Sequence, residues 1–206
     1  MKIHLHRPGL LAAGLIFWLG LVGAGLTAVA QHAFSRGAVT TPSPYWPATS
    51  SIQRSDTATL LVFVHPLCPC SRATINELHE IARQSGPHLA VQIVFVEPTG
   101  LHESAEGTPL WSRAAVIPGA ALLRDQDGRE AAVFGVLVSG EARLYAADGK
   151  LLFRGGLTAS RGHEGASAAR TIILAAIREQ KTDSLRPDTA VFGCSFSDKC
   201  IPEKRS

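Results

Sequence analysis

The first distinct pattern along the chain is an uninterrupted apolar run from Gly9 to Ala30 (GLLAAGLIFWLGLVGAGLTAVA), which contains no charged residue. About 20 apolar residues span a bilayer as an α-helix, so this run predicts a transmembrane segment. Residues 31–57 break the pattern with Thr41-Pro42-Ser43-Pro44, Pro47 and scattered Ser and Thr, and read as a flexible, extended tether. Leu60-Leu61-Val62-Phe63-Val64 is then a continuous apolar run ending at His65-Pro66, as expected of a central strand covered on both faces. Beyond two cysteines, Ile75, Leu78, Ile81 and Ala82 recur at helical spacing until Gly86-Pro87 stops the segment. Ala90 to Val96 (AVQIVFV) is a second buried-type strand, so strand, helix and strand form a βαβ unit and set an α/β start.

Further along, Leu110 to Ala115 reads as a short helix, Ala120 to Leu123 as a third strand, and Glu130 to Phe134 as a short helical piece. Asp125-Gln126-Asp127-Gly128 has the look of a calcium loop, but Val136 stands where an EF-hand needs Glu, so the segment is read as a turn. Ala142 to Tyr145 and Lys150 to Arg154 flank Ala147-Asp148-Gly149, a strong hairpin signal that predicts two antiparallel strands closing the sheet. A last helix is expected over Ser167 to Gln180, with Ala169, Ile172, Ile173, Ala176 and Ile177 on one face. The expected organisation is a cytoplasmic N-terminus at 1–8, a membrane segment at 9–30, the tether at 31–57, one α/β domain at 58–181 and a cysteine-containing tail at 182–206.

Charge fixes the orientation. Lys2 and Arg7 precede the apolar run while Gln31 to Ser35 carries no formal charge, so the positive-inside bias leaves everything after residue 30 outside the cytoplasm. Ala28-Val29-Ala30 also has the small-x-small form of a cleavage site, which leaves open a cleaved signal peptide; the length of the run favours an anchor. The 20 basic and 17 acidic residues are scattered without a like-charge block, which argues against a nucleic-acid partner.

Four cysteines in an exported chain are oxidised unless something reduces them, and they fall as a close pair, Cys68-Pro69-Cys70, and a looser pair, Cys194 and Cys200. The close pair lies between the first buried strand and a helix, where backbone N–H groups and the helix dipole lower a thiol pKa. Cys68, at the strand's end, is expected to face solvent and react first, with Cys70 inside the first helical turn. His65, when protonated, would add to the effect. A pair of buried or permanently bridged thiols is the alternative.

Phe63-Val64-His65-Pro66-Leu67-Cys68, and Phe134-Gly135-Val136 followed by Ser139-Gly140 and Leu144-Tyr145 with Asp148-Gly149-Lys150, resemble two blocks of the thioredoxin superfamily, in its membrane-anchored TlpA-type branch and the bacterial RedB type. The resemblance covers about residues 59–181. It implies a thioredoxin-like three-layer α/β/α sandwich with a mixed sheet behind one N-terminal transmembrane helix. It also implies thiol–disulfide exchange at Cys68 and Cys70, with exported protein thiols or disulfides and a further redox protein as partners. The sequence departs from that family twice: Ser71 stands where the resolving cysteine of a Cys-x-x-Cys pair would be, and Gly140 takes the place of the active-site cis-proline. A Cys-Pro-Cys disulfide closes a small ring stiffened by Pro69, so it should be strained and readily reduced.

The loop Gly155 to Gly165, which in the resembled fold borders the reactive cysteine, holds four glycines for close backbone approach, with Arg161 to hold an anion and His163 to move a proton or bind a metal. An ordinary glycine-rich connection is the bland alternative. In the tail, a local Cys194–Cys200 disulfide is the first expectation, and a tail cysteine reaching Cys68 or Cys70 the second. Two rivals to exchange chemistry remain: a copper-binding protein using Cys68, Cys70 and His163, and a redox-inert docking module. The expected location is the bacterial inner membrane, single-pass through residues 9–30, with the C-terminal domain on the periplasmic side. A reporter active only outside the cytoplasm, fused after Ser35, should be active and membrane-bound after an alkaline wash; release into the soluble fraction would mean cleavage after Ala30.

Overall fold

A computed structural model describes residues 7–101, 104–179 and 188–196. The chain divides into two compact units, residues 1–35 and 36–206. The first unit is helix α1 (Arg7–Ala33), which extends beyond the apolar run at both ends and exposes its side chains all round. It is long and apolar enough to serve as a membrane anchor or a signal.

The second unit is built on five strands: β1 (Ala58–Val64), β2 (Leu89–Glu97), β3 (Ala120–Gln126), β4 (Glu141–Tyr145) and β5 (Leu151–Gly156). Their order is β3-β2-β1-β4-β5, with β1, β2 and β3 parallel and β4 and β5 antiparallel. Helix α2 (Ser71–Ser85) makes the crossover from β1 to β2. Helices α3 (Pro109–Ala114), α4 (Arg129–Phe134) and α5 (Ala168–Glu179) complete the unit. This is the mixed-sheet, thioredoxin-like α/β/α fold.

The continuous apolar run of β1 has the expected cause. Leu60, Val62 and Val64 face Ile75, Leu78 and Ile81 of α2, with Ile173 of α5 in the same cluster. Leu61 and Phe63 face the opposite way, toward Ala131 and Phe134 of α4. Burying each such side chain contributes roughly 1.5–3 kcal/mol. On the first face, buried Glu77 of α2 pairs with Arg170 of α5 and accepts a 3.0 Å hydrogen bond from Ser167. Asp125, also buried, ends β3 by accepting the N–H groups of Glu130 and Ala131 at 2.9 and 2.8 Å, which starts α4. The turn between them carries Asp127 and Gly128 at positive φ, as the Asp-Gly turn signal required.

Among the described residues, the helical cover on the second face is the six residues of α4. The segment read as a flexible tether supplies much of the rest, and that expectation is corrected from residue 36 onward. Trp46 sits 5.3 Å from Phe134 and 5.0 Å from Tyr145, ring centre to centre, and Ile52 joins the same cluster. Trp46 N–H donates to Gly149 O at 2.8 Å, Leu151 N–H to Pro44 O at 2.9 Å, and Ser50 and Ser51 both bind the Glu130 carboxylate. Proline and serine content signals extended backbone; it does not signal an unattached one. Replacing Trp46 with Ala should therefore destabilise the domain by roughly 2 kcal/mol and open residues 36–57 to protease, measured by thermal unfolding and limited digestion. A tether that merely links two units would show neither effect.

Candidate thiol site

The site lies where β1 runs into α2. After Val64 the chain turns, with Cys68 N–H donating to His65 O at 3.1 Å and Ser71 N–H to Cys68 O at 3.1 Å. Ala73 N–H reaches Cys70 O at 3.2 Å, so the first N–H groups of α2 are satisfied by turn carbonyls. Cys70 is the residue that caps α2, and its sulfur makes no capping bond. The charge-holding groups are thus not the expected helix N–H groups.

Cys68 is only 2% exposed, which corrects the expectation that its sulfur faces solvent. What covers it is the tail: Cys194 Sγ lies 3.2 Å from Cys68 Sγ. Hydrogen bonding with Cys194 and then with Cys70 lowers the Cys68 pKa below the ordinary thiol range, outweighing burial, and Ser71 adds to it. Cys70 is pushed up, because its proton is held in hydrogen bonds to Cys194 and Cys68 and a charge there would lie beside that of Cys68. The titrations of these sulfurs depend on one another, with the lowered pKa falling on Cys68 and the raised one on Cys70.

The other expected residues fall into two groups. His65 is buried at 2% exposure, and burial lowers its pKa despite the nearby Cys68 charge. It is therefore neutral, and its Nδ1 accepts the Leu67 N–H at 3.1 Å. It shapes the turn and does not supply the positive charge expected of it. Pro69 is exposed at the tip of the turn. Gly140 has φ +92 and donates its N–H to Phe63 O at 2.7 Å. A proline has neither that N–H nor access to that φ, and among the described residues no peptide bond is cis.

Arg161 and His163 separate. Arg161 Nη1 donates to Gly193 O at 2.6 Å, so this arginine holds the tail where an anion was expected. His163 is exposed, its N–H donating to Ser160 O at 3.2 Å, and no described contact brings it to the cysteines. Among the described residues no group of three or more His, Cys, Asp or Glu is arranged to hold a metal ion. Sulfurs sharing a metal at about 2.3 Å each would stand roughly 3.7–4 Å apart. The 3.2 Å between Cys68 and Cys194 is closer than that. Cys200, and with it the expected Cys194–Cys200 link, lies outside the described residues.

Two residues escaped the sequence reading. Ser139 accepts the His65 N–H at 2.8 Å and bonds Ser71 Oγ at 2.7 Å, tying the loop before β4 to the start of α2. Gly193 lies so close to that loop that a Cβ would fall 1.7 Å from Ser139 O. Ser71, seen in the sequence only as a missing cysteine, fills this polar role. Nothing local in the sequence marks Gly193, because its constraint comes from a partner far along the chain.

No family model matches the chain, and no curated protein matches it. Among solved structures, an uncharacterized conserved protein from Geobacillus kaustophilus is similar, with a TM-score of 0.58 and 21% identity over 79% of this chain and 91% of its own. A hypothetical protein from Sinorhizobium meliloti 1021 matches with a TM-score of 0.57 and 18% identity over 79% of this chain and 94% of its own. At these identities the likeness concerns the fold alone. A secreted Mycobacterium tuberculosis disulfide oxidoreductase homologous to Escherichia coli DsbE also matches, with a TM-score of 0.42 and 17% identity over 60% of this chain and 82% of its own.

Alkylation rate follows thiolate fraction, so its pH profile reads the charge distribution. With its pKa depressed, Cys68 should keep its neutral-pH rate down to about pH 6; Cys70, with its pKa raised, should stay inert up to about pH 9. A Cys68 profile that climbs through the ordinary thiol range near pH 8.5 would place the charge elsewhere.

Proposed function

We propose that the chain is a thiol–disulfide exchange protein tethered by α1 to the bacterial inner membrane, its domain on the periplasmic side, acting on exported proteins. The observation that carries this reading is a buried cysteine, Cys68, in the turn between β1 and α2, with Cys194 Sγ at 3.2 Å and Cys70 two residues on, its pKa lowered by hydrogen bonding to both. A structural disulfide needs no such arrangement. A nucleophile that must attack a disulfide and then be released by a neighbouring thiol needs both parts of it.

In this reading Cys68 attacks a client disulfide, forms a mixed disulfide and expels one client thiolate. A second thiol of the cluster then displaces the client from Cys68, Cys70 being the neighbour in the motif. His65 keeps the turn in shape, and Ser71 with Ser139 fixes the start of α2 against the loop before β4. Among the described residues the groups that lower the Cys68 pKa are Cys194, Cys70 and Ser71, which suits a thiolate that must leave as well as attack.

The test uses the reduced full-length chain in detergent with insulin as the disulfide substrate. Exchange should be measurable in the wild type and fall by at least about a hundredfold in Cys68→Ser, since the nucleophile is removed outright. Unchanged exchange in Cys68→Ser would sink the reading. If no exchange occurs and the protein instead retains about one copper per chain that needs Cys68, Cys70 and His163, it is a metal-binding protein. Neither exchange nor copper would leave a docking module.

A further inference from the structure

The tail that covers Cys68 is fastened by a built contact. Residues 194–196 run antiparallel to the loop before β4, with Ser139 N–H donating to Cys194 O at 2.9 Å and Phe196 N–H to Leu137 O at 3.0 Å around the Val138 and Ser195 pair. The Arg161 guanidinium grips Gly193 O, and Phe196 packs on the cluster of Leu61 and Phe63. An extended segment on a backbone edge, with a cysteine sulfur 3.2 Å from the thiolate, is the geometry a client peptide must adopt to exchange with Cys68.

We propose that Cys194 is the resolving thiol of this protein, delivered by a tail that competes with the client for the edge at Leu137 to Ser139. The proposal rests on the exchange reading above and deepens it. The tail leaves, and Cys68, its thiolate still supported by Cys70 and Ser71, attacks a client disulfide, forming a Cys68–client bond while the other client sulfur departs as a thiolate and takes a proton. The tail returns, and Cys194, giving its proton to solvent, attacks the Cys68 sulfur as a thiolate. The Cys68–Cys194 bond forms, the Cys68–client bond breaks, and the client sulfur leaves with the electron pair and is protonated. Two electrons have passed from the protein's dithiol to the client disulfide, and a reduced dithiol partner resets the protein.

Geometry favours Cys194 over Cys70 in this step. Closing Cys68–Cys194 asks for about 1 Å of approach between segments far apart in sequence, with no small ring closed through neighbouring residues. Closing Cys68–Cys70 must form a small ring through Pro69, with Cys70 already held in helical conformation at φ −67 and ψ −27. Returning backbone pairing at Leu137 and Ser139 also displaces the client strand, so release is driven by docking as well as by chemistry.

The experiment treats fully reduced full-length protein with oxidised glutathione, then maps disulfides without reduction and follows the glutathione carried on Cys68. Cys70→Ser should shed glutathione and yield a Cys68–Cys194 link, as the wild type does. Cys194→Ser should keep glutathione on Cys68. Gly193→Ala, whose Cβ collides with Ser139 O, should undock the tail, slow glutathione release, and raise Cys68 alkylation at least about tenfold at about pH 9.5, where the thiol is ionised with or without the Cys194 hydrogen bond; that factor is equivalent to about 1.4 kcal/mol of docking. If Cys194→Ser sheds glutathione as fast as wild type, or Cys194 is recovered joined to Cys200 after the treatment, the proposal fails while the exchange reading stands. If Cys68 takes up no glutathione even in Gly193→Ala, the exchange reading fails and takes this proposal with it.

Discussion

Strand β1 is buried on both faces from Leu60 to Val64, and the rest of the domain follows from the need to cover it. One face is closed by α2 and α5, clamped by the Glu77 and Arg170 pair. Among the described residues the other face has α4 alone among the helices, and six residues do not cover a five-stranded sheet. The chain completes that layer with irregular segments: Trp46 and Ile52 from before β1, and Phe196 from after α5. The segment that brings Cys194 to Cys68 also packs Phe196, two residues on, against this cluster. Side chains two apart in an extended segment share a face, so the same tail seals the sheet and shields the thiolate.

The resulting packing is close enough to dictate residue type. At the end of β5, a Cβ on Gly155 would meet Thr189 Oγ1 at 2.1 Å, and one on Gly156 would meet Ala190 O at 2.5 Å. Asp188 pairs with Arg154, Thr189 Oγ1 donates to Gly156 O at 2.7 Å, and Gly37 N–H donates to Val191 O at 2.8 Å. Two of the four glycines read as permitting close backbone approach do so, and what approaches is the chain's own tail.

The parts of this fold legible in the sequence are those set by local periodicity. The run of β1, the helical spacing of Ile75, Leu78 and Ile81, and the Asp148-Gly149 hairpin each mark an element through its own residues. Cys68 and Cys70 were legible for the same reason, since a strand end beside a helix start is a local feature. The docking of residues 36–57, the burial of Cys68, and the roles of Ser139 and Gly193 were not, because each depends on a partner tens of residues away. His65 shows the limit clearly: its position at the strand's end was right, and its charge state was set by burial that no neighbouring residue advertises.

The distribution of charge over the three sulfurs ties reactivity to redox state. The Cys68 pKa is lowered first by hydrogen bonding to Cys194 and next to Cys70. A thiol that enters a disulfide has no proton left to donate. Oxidation of either neighbour with a third party therefore removes a hydrogen bond from Cys68 and moves its pKa back toward the ordinary range, which lowers its thiolate fraction at a given pH. Had an arginine or lysine held the charge, the thiolate would persist whatever its neighbours' oxidation state. Holding it with thiols ties the Cys68 thiolate fraction to their redox state: when the tail leaves for a client, reduced Cys70, with Ser71, keeps the pKa lowered, though by less than when Cys194 is docked.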